Sequence, residues 1–396
     1  MPRPFRLLVM ALALCGPAIA HASDTAADVS YVPPRGAWAE CPPRDCGFDA
    51  AKLAEAVAWV QTQENPAPRD QTAAWVRSFG QREPWFGGIL GPMAPRGPVS
   101  GVVIHRGRVL AQFGEPDRVD MSHSITKSAL SAVVGLAWQD GRIDPDAPVA
   151  AAMPPGVDLF TDPKNVPITW EHLLRQTSDW QGTLWGKPDW ADRPVGDTPE
   201  DWPSAPRAAP GKVYEYNDVR INVLALAALH VHREPLPVVF RERIMDPIGA
   251  SSRWRWEGYR NSWLALDGRR VQSVSGGGHW GGGLFIDSWD LARFGLLYLR
   301  EGRWGDRQIV DPAWIARSRT PGTANPAYGH ANWFLNTGRK ALPSMPESTV
   351  YFVGNGMNAV VIDRENDLVV VARWIDGEPA LDGFLERLLE ARDAAP

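Results

Sequence analysis

The sequence is poor in cysteine and lysine, and after its first residues it has no apolar run long enough to cross a membrane. Of 396 residues, three are cysteines and six are lysines. The 41 basic residues are balanced by 46 acidic ones, which gives a net charge of -5, so nucleic acid is not expected as a partner. The chain is 44% hydrophobic and 22% charged, as globular proteins are, so a disordered or collagen-like chain is excluded.

Several catalytic motifs are also missing. No G-x-S-x-G nucleophile elbow and no H-E-x-x-H metal motif occur, and Gly182 to Lys187 is one residue short of a phosphate-binding loop. The nearest potential metal ligands are His230, His232 and Glu234. A solvated helix end explains these three residues, and a metallohydrolase is kept as a rival. The sequence therefore predicts neither a metal nor a cofactor.

The first 22 residues have the pattern of a cleavable signal peptide. Arg3 and Arg6 precede an apolar stretch over 7–14, and an A-x-A site ends at Ala22. We therefore expect an exported protein, periplasmic or secreted, with cleavage after Ala22.

Two cysteines remain after that cleavage. Cys41 and Cys46 flank a Pro-Pro turn in a polar, Pro-rich lead over residues 23–47. In an oxidising compartment such a pair is expected to form a disulfide. A zinc pair is the alternative, although no second pair of ligands lies at the usual spacing.

Hydrophobic periodicity indicates an α+β fold. Strands are predicted near both ends of the chain, at 102–104, 109–110, 284–286, 349–352, 359–362 and 368–374. Helices are predicted at 48–63, 122–138, 291–299 and 381–391, and residues 140–275 are predicted to be helices between Pro-rich loops. The prediction is therefore one domain over 48–392 that holds an all-helical insertion over roughly 140–275.

A serine and a lysine stand three residues apart at the start of a predicted helix. Ser124 and Lys127 would share one helix face, where the amine approaches the hydroxyl. A buried or charge-crowded lysine can lose its proton and act as a base for that hydroxyl. The free N–H groups at a helix start can also stabilise an oxyanion. Because such a pair also arises by chance, it is a weak signal by itself.

Five segments in order extend this signal into a family resemblance. They are 124–130, 168–178, 210–218, 282–294 and 354–371. Together they resemble the serine hydrolases related to class C β-lactamases, a family that includes D,D-peptidases, esterases and 6-aminohexanoate-oligomer hydrolases. The resemblance implies a β-lactamase or penicillin-binding-protein-like fold, which is an α/β sandwich around an antiparallel sheet.

The resemblance also implies roles for individual residues. Ser124 matches the nucleophile, Lys127 the activating lysine, and Tyr216 the tyrosine that passes a proton to the leaving group. Taken alone, Tyr216 would be read as a core tyrosine. A phenol has a reference pKa of about 10, so a nearby Lys127 cation would be needed to favour the phenolate.

Two motifs depart from the family pattern. Asp218 stands where the family usually has Asn, which is expected to put negative charge near the lysine. Gly354-Asn355-Gly356 replaces Lys-Thr-Gly or His-Thr-Gly, so no cation is expected there to hold the carboxylate of a β-lactam. Efficient β-lactamase action is therefore disfavoured, while the Asn355 N–H remains a candidate oxyanion donor beside that of Ser124.

A glycine cluster over 276–283 surrounds His279 and Trp280. Tight backbone packing explains the glycines. The alternative places His279 or Trp280 in the substrate pocket. In the predicted insertion, Trp180, Trp185 and Trp190 are candidates for an aromatic wall.

The sequence thus predicts an exported serine hydrolase that cleaves small esters or amides without cofactor or metal. A D-amino peptidase or weak β-lactamase is the enzymatic alternative. A non-catalytic cell-wall or penicillin sensor is the alternative from another class.

Overall fold

The structure of the protein is a computed structural model that describes residues 31–81, 83, 88–204 and 206–394. The predicted signal peptide, residues 1–22, lies outside the described residues.

The helices and strands alternate along the chain much as their periodicity predicts. The strands are β1 (Ser100–His105), β2 (Arg108–Phe113), β3 (Asp120–Met121), β4 (Thr183–Leu184), β5 (Lys187–Pro188), β6 (Arg255–Leu266), β7 (Arg269–Val274), β8 (Gly283–Ile286), β9 (Arg303–Trp304), β10 (Arg307–Gln308), β11 (Phe334–Leu335), β12 (Val350–Gly354), β13 (Asn358–Asp363) and β14 (Leu368–Arg373). The helices are α1 (Ala50–Gln61), α2 (Gln71–Arg77), α3 (Thr126–Gln139), α4 (Trp170–Leu174), α5 (Asp218–His232), α6 (Leu236–Phe240), α7 (Ser288–Leu299), α8 (Pro312–Ser318) and α9 (Gly377–Asp393).

A six-stranded antiparallel sheet in the order β11-β12-β13-β14-β1-β2 forms the centre of the molecule. Every residue of β1, β13 and β14 is buried, because helices cover both faces. On one face, Val103 packs with Leu53 of α1 and Phe384 of α9. On the other, Val102 and Val371 belong to the larger core that contains α3, α5 and α7. This is the α/β sandwich that the resemblance implied.

The segment 140–275 is not all helical, which corrects the prediction for the insertion. It ends in a long antiparallel hairpin, β6 and β7, around the turn at Asp267-Gly268. β8 pairs with the start of β6 and continues this sheet to β3. The strand signal in β6 is weak because the register shifts between Gly258 and Trp263, so buried and exposed residues do not alternate.

The lead over residues 31–47 lies against the edge of the central sheet. Val109 of β2 exchanges two backbone hydrogen bonds with it, donating to Ala39 and accepting from Cys41 at 2.9 Å each. A disulfide joins Cys41 to Cys46 across a 3-10 turn. The bond closes a loop at the point where the lead leaves the sheet and enters α1.

No single helix in the described ranges is both long enough and apolar enough to span a membrane. The segments Asp218–His232 and Leu236–Met245 pass that test only as a pair, across a bend of 76°. Most of α5 is buried in the core of this protein.

Candidate active site

Ser124 lies in a 3-10 turn, His123–Ile125, directly before α3. The turn begins at His123, whose φ of 48° is in the left-handed region that a non-glycine residue rarely adopts. Ser122 fixes the turn to β8, because its N–H and its Oγ both donate to the carbonyl of Leu284 at 2.8 Å. The nucleophile therefore stands on a strained and strongly held turn rather than inside the predicted helix.

Two glycines pack closely against this turn. A Cβ on Gly277 would lie 2.0 Å from the carbonyl oxygen of His123, and one on Gly354 would lie 2.1 Å from that of Ser122. Both distances are far below van der Waals contact, so neither position accepts a side chain without backbone movement. The glycine cluster thus serves backbone packing, as one of its two interpretations proposed.

Lys127 lies beneath Ser124 and has no exposed side-chain surface. Its Nζ donates to Ser124 Oγ at 2.9 Å. The Nζ also lies 5.0 Å from the centre of the Tyr216 ring, and Ser124 and Lys127 both act to lower the pKa of that phenol. The structure thus brings the three predicted catalytic side chains together.

Both proton carriers in this group retain their protons at neutral pH. Burial alone would lower the pKa of Lys127, but the charge of Asp218 opposes burial and helps to hold this pKa above its ordinary value. Burial raises the pKa of Tyr216, and the Lys127 cation offsets this only in part. The resting site therefore holds an ammonium and a neutral phenol beside the nucleophile.

Asp218 faces Lys127 rather than the substrate side. Its Oδ1 lies 2.7 Å from Lys127 Nζ, and its Oδ2 is hydrogen-bonded to His279 Nδ1 at 3.0 Å. Burial would raise the pKa of Asp218, but Lys127 and His279 hold it well below its ordinary value. Asp218 thus puts its negative charge beside the lysine, as predicted, and is paired there with Lys127 and His279.

His279 links Asp218 to a second acidic residue, Glu83. Its Nε2 lies 2.5 Å from Glu83 Oε1, and its ring stacks on Phe79 with 4.0 Å between the ring centres. Glu83 also accepts a hydrogen bond from Trp280 Nε1 at 2.8 Å. His279 therefore belongs to the site, which agrees in part with the prediction that it lines the substrate pocket. It does so as a buried bridge between two carboxylates, Asp218 and Glu83.

We expect this bridge to make stability depend on pH. Burial alone would lower the pKa of His279, but Asp218 and Glu83 raise it to about 9 from an ordinary value of 6.5. A raised pKa adds stability that is complete below pH 6.5 and is lost as pH rises through 9. The wild-type free energy of unfolding should fall between pH 6.5 and 9.5 by roughly 3 kcal/mol more than that of His279→Gln, as measured by urea unfolding. Parallel losses in the two proteins would contradict the assignment.

Two further charged residues of the site were missed by sequence reasoning. Asp192 is completely buried, and its Oδ2 accepts a short hydrogen bond from the Asp218 backbone N–H. Its Oδ1 lies 2.5 Å from Arg193 Nη1. Burial and the charge of Asp218 raise the pKa of Asp192 to about 6. The only sequence signal here is an Asp-Arg pair in a Pro-rich loop, which matches no motif.

The described residues also hold a group of potential metal ligands, Glu83, Asp192 and His279. The direct ion pair between His279 and Glu83 and the raised pKa of His279 fit a protonated imidazole better than a metal ligand. Of the residues predicted as a metal rival, His232 uses its Nε2 to contact the Val133 carbonyl in the core, at 2.9 Å.

The turn between β12 and β13 forms the opposite wall of the site. Gly354 lies against the turn of Ser124, and the Asn355 carbonyl accepts a hydrogen bond from the Asn358 side chain at 2.8 Å. Asn332, which the sequence did not single out, holds the two walls together. Its Nδ2 donates to the carbonyl of Ser124 and, at 2.8 Å, to that of Val353.

A cavity of about 300 Å³ opens at this turn, lined by Asn355 and Gly356 together with Gln71 and Arg77 of α2. The expectation that no cation lies near the turn is therefore wrong, because the exposed Arg77 lines the same cavity.

The three tryptophans of the insertion do not form one wall at the nucleophile. Trp180 is buried in the helical core, and its Nε1 donates to the Leu159 carbonyl at 2.7 Å. Trp190 lines a separate cavity with Asp189 and Arg220.

Asp179 has a φ of 44°, in the left-handed region, and Asp is one of the residues that tolerate such a φ. It is also an ion-pair partner of Arg220 at 2.7 Å.

A family model described as Beta-lactamase matches residues 98–389, which is most of the chain. The chain belongs to the β-lactamase family. This family consists of serine hydrolases that include β-lactamases and esterases. The match contains Ser124, Lys127, Tyr216 and the closing turn. A comparison with curated proteins finds no match.

Solved structures of β-lactamase-family proteins have the same fold. A family VIII carboxylesterase is 15% identical, with a TM-score of 0.55 over 87% of this chain and 99% of its own. A hydrolase with promiscuous acyltransferase activity is 18% identical, with a TM-score of 0.54 over 87% and 98%. A penicillin-binding protein homologue from Caulobacter crescentus is 16% identical, with a TM-score of 0.54 over 82% and 98%. At these identities the likeness shows the fold alone.

Proposed function

We propose that this protein is an exported serine hydrolase that cleaves small esters or amides through an acyl-enzyme on Ser124. The proposal rests above all on one observation. Lys127 Nζ lies 2.9 Å from Ser124 Oγ and 5.0 Å from the centre of the Tyr216 ring, so one buried ammonium joins the nucleophile to the second proton carrier. A protein that only binds its ligand needs no such linked nucleophile and proton carriers.

The arrangement supports acyl transfer in two steps. Reaction starts from the small fraction of molecules in which the Tyr216–Lys127 pair has lost one proton. The pair then accepts the Ser124 proton while Oγ bonds to the substrate carbonyl carbon. As the bond to the leaving group breaks, Tyr216 passes that proton to the leaving atom. Water enters by the reverse proton path and releases the acyl group as a carboxylic acid.

The developing oxyanion has candidate donors on both walls of the site. The backbone N–H of Ser124 stands at the start of α3, and that of Asn355 stands in the closing turn. Donors held in place before reaction stabilise such charge without reorganisation. Asn332 fixes the distance between the two walls through its bonds to the carbonyls of Ser124 and Val353.

Several solved structures with this fold carry names that agree with the proposal. A family VIII carboxylesterase and a hydrolase with acyltransferase activity point to ester substrates. A D-amino peptidase or weak β-lactamase is the second candidate, favoured by Arg77 in the cavity beside Asn355, which supplies a cation for a substrate carboxylate.

Purified protein should hydrolyse p-nitrophenyl acetate and react with a serine-directed fluorophosphonate, and EDTA should change neither result. Labelling without turnover of any ester, amide or nitrocefin would favour the sensor alternative. Loss of turnover in EDTA would favour a metallohydrolase instead.

A further inference from the structure

An arginine projects over the side of the site where Tyr216 acts. Arg193 has a φ of 52°, in the left-handed region, and its guanidinium carbon lies 5.0 Å from the centre of the Tyr216 ring. It also lies 5.4 Å from the centre of the Phe79 ring. The two ring contacts hold the guanidinium beside the proton donor, while 41% of the side chain remains exposed.

The guanidinium of Arg193 is held through one of its nitrogen atoms, Nη1. Its Nη1 lies 2.5 Å from the buried Oδ1 of Asp192. Its Nε and Nη2 groups make no hydrogen bond with any residue in the described ranges. The buried carboxylate therefore positions the guanidinium and leaves donors that point elsewhere.

Arg193 lines a cavity of about 290 Å³, which shares Ser78 with the cavity at Asn355. Among the residues that the structure describes, its lining consists of Ser78, Phe79, Glu83, Arg193 and Pro194. Glu83 is engaged with His279 and Trp280, so its charge is already satisfied. Among these lining residues Arg193 is the cation, beside the apolar surfaces of Phe79 and Pro194. The cavity thus suits a group with an apolar body and an anionic end.

The mechanism indicates which half of the substrate enters this cavity. Tyr216 passes its proton to the leaving atom, so the leaving group lies on the Tyr216 side of the carbonyl. We propose that Arg193 binds a carboxylate on the leaving group and thereby selects esters or amides whose leaving half is an organic acid. A planar guanidinium suits this role because two of its N–H groups can bind one carboxylate. This inference rests on the proposed function, and it places the selecting cation in the insertion rather than at the closing turn.

The rival explanation is structural, because Arg193 also neutralises the buried Asp192. A matched pair of substrates separates the two roles. In 4-acetoxybenzoate and 4-acetoxybenzamide the acetyl group is the same, and the leaving phenol carries either a carboxylate or a neutral amide. Comparison of each variant with wild type cancels the difference in intrinsic reactivity.

Arg193→Gln should lower kcat/KM for 4-acetoxybenzoate at least about tenfold more than for 4-acetoxybenzamide. This selective loss should appear as a higher KM for 4-acetoxybenzoate rather than as a lower kcat. Arg193→Lys keeps a positive charge beside Asp192 but loses the planar guanidinium. Its ratio of kcat/KM for the two substrates should lie between those of wild type and Arg193→Gln. Arg269→Gln, which changes an exposed arginine on β7, should leave the ratio at its wild-type value. Fluorophosphonate labelling of Ser124 and the melting temperature report on each variant's active site and fold.

Equal losses for the two substrates in Arg193→Gln and Arg193→Lys would overturn the proposal and leave Arg193 a structural partner of Asp192. Unchanged kinetics for both substrates would also overturn it. A selective loss for phenyl hemisuccinate, which carries its carboxylate on the acyl half, would assign the cavity to the acyl group instead. If wild type neither hydrolyses a substrate nor labels, the proposed function itself fails. If it labels but hydrolyses neither acetoxy substrate, only the leaving-group assignment fails.

Discussion

Replacement of Ser124 by Ala should abolish covalent labelling by a fluorophosphonate and lower ester hydrolysis by at least about a thousandfold. That loss corresponds to about 4 kcal/mol of transition-state stabilisation. The reason is that Lys127 and Tyr216 both act through the Ser124 oxygen and have no second hydroxyl to activate. Residual rate would come from the oxyanion donors acting on water. Mass spectrometry of the labelled protein and a p-nitrophenyl acetate assay give the two readouts.

Ser131→Ala is a matched control, because Ser131 is a buried serine two turns further along α3. It should leave labelling and turnover close to those of wild type. Undiminished labelling of a folded Ser124→Ala protein would reject the nucleophile, and with it the proposed mechanism. Equal losses in both variants would point to damage of α3 rather than removal of the nucleophile.

The core of the site could be predicted because it depends on short-range sequence patterns. Ser124 and Lys127 are three residues apart, and the helical path of the chain alone brings them together. The buried strands β13 and β14 were recognisable because both faces of the sheet are covered, which produces continuous apolar runs. The same reasoning failed for β6, where the shifted register removes the alternation that marks a strand.

The outer part of the site could not be predicted, because its contacts join distant segments. Glu83 meets His279 across almost 200 positions, and Asp192 meets Asp218 through a backbone N–H that no side-chain pattern reveals. Asp218 has a further partner, His279, which could not be predicted for the same reason. Its charge is visible in the sequence, but the direction of its side chain is not. Electrostatic arguments from sequence therefore depend on partners that only the fold supplies.

Loss of Asp218 should destabilise the fold strongly. Asp218→Ala leaves the buried Lys127 ammonium without its carboxylate and removes one partner of His279. Breaking a buried ion pair from one side costs about 3–5 kcal/mol, because the remaining charge stays desolvated. We expect a loss of that size in the free energy of unfolding at pH 7, as measured by urea unfolding. Glu55→Ala, an exposed acidic residue on α1, should change it by less than about 0.5 kcal/mol.

The low pKa of Asp218 predicts how the destabilisation by Asp218→Ala depends on pH. The pKa of Asp218 is well below its ordinary value of 3.8, so its contribution is complete above that value and is lost as pH falls further. The difference in the free energy of unfolding between wild type and Asp218→Ala should therefore become smaller in acid. A gap that stays constant as the solution is acidified would contradict the ion pair as its source.

Asp218→Asn separates stability from catalysis. Asn has nearly the same shape as Asp, and its amide oxygen can still accept a hydrogen bond from Lys127. Removal of the carboxylate lowers the pKa of Lys127, because burial then lacks its main opposing charge. At any given pH a larger fraction of Lys127 is then neutral than in wild type. The decrease of log kcat/KM on the acid side of the pH profile should therefore occur at lower pH than in wild type. An unmoved limb in a folded Asp218→Asn protein would mean that Lys127 does not titrate on the reaction path, and proton transfer would then rest on Tyr216 alone.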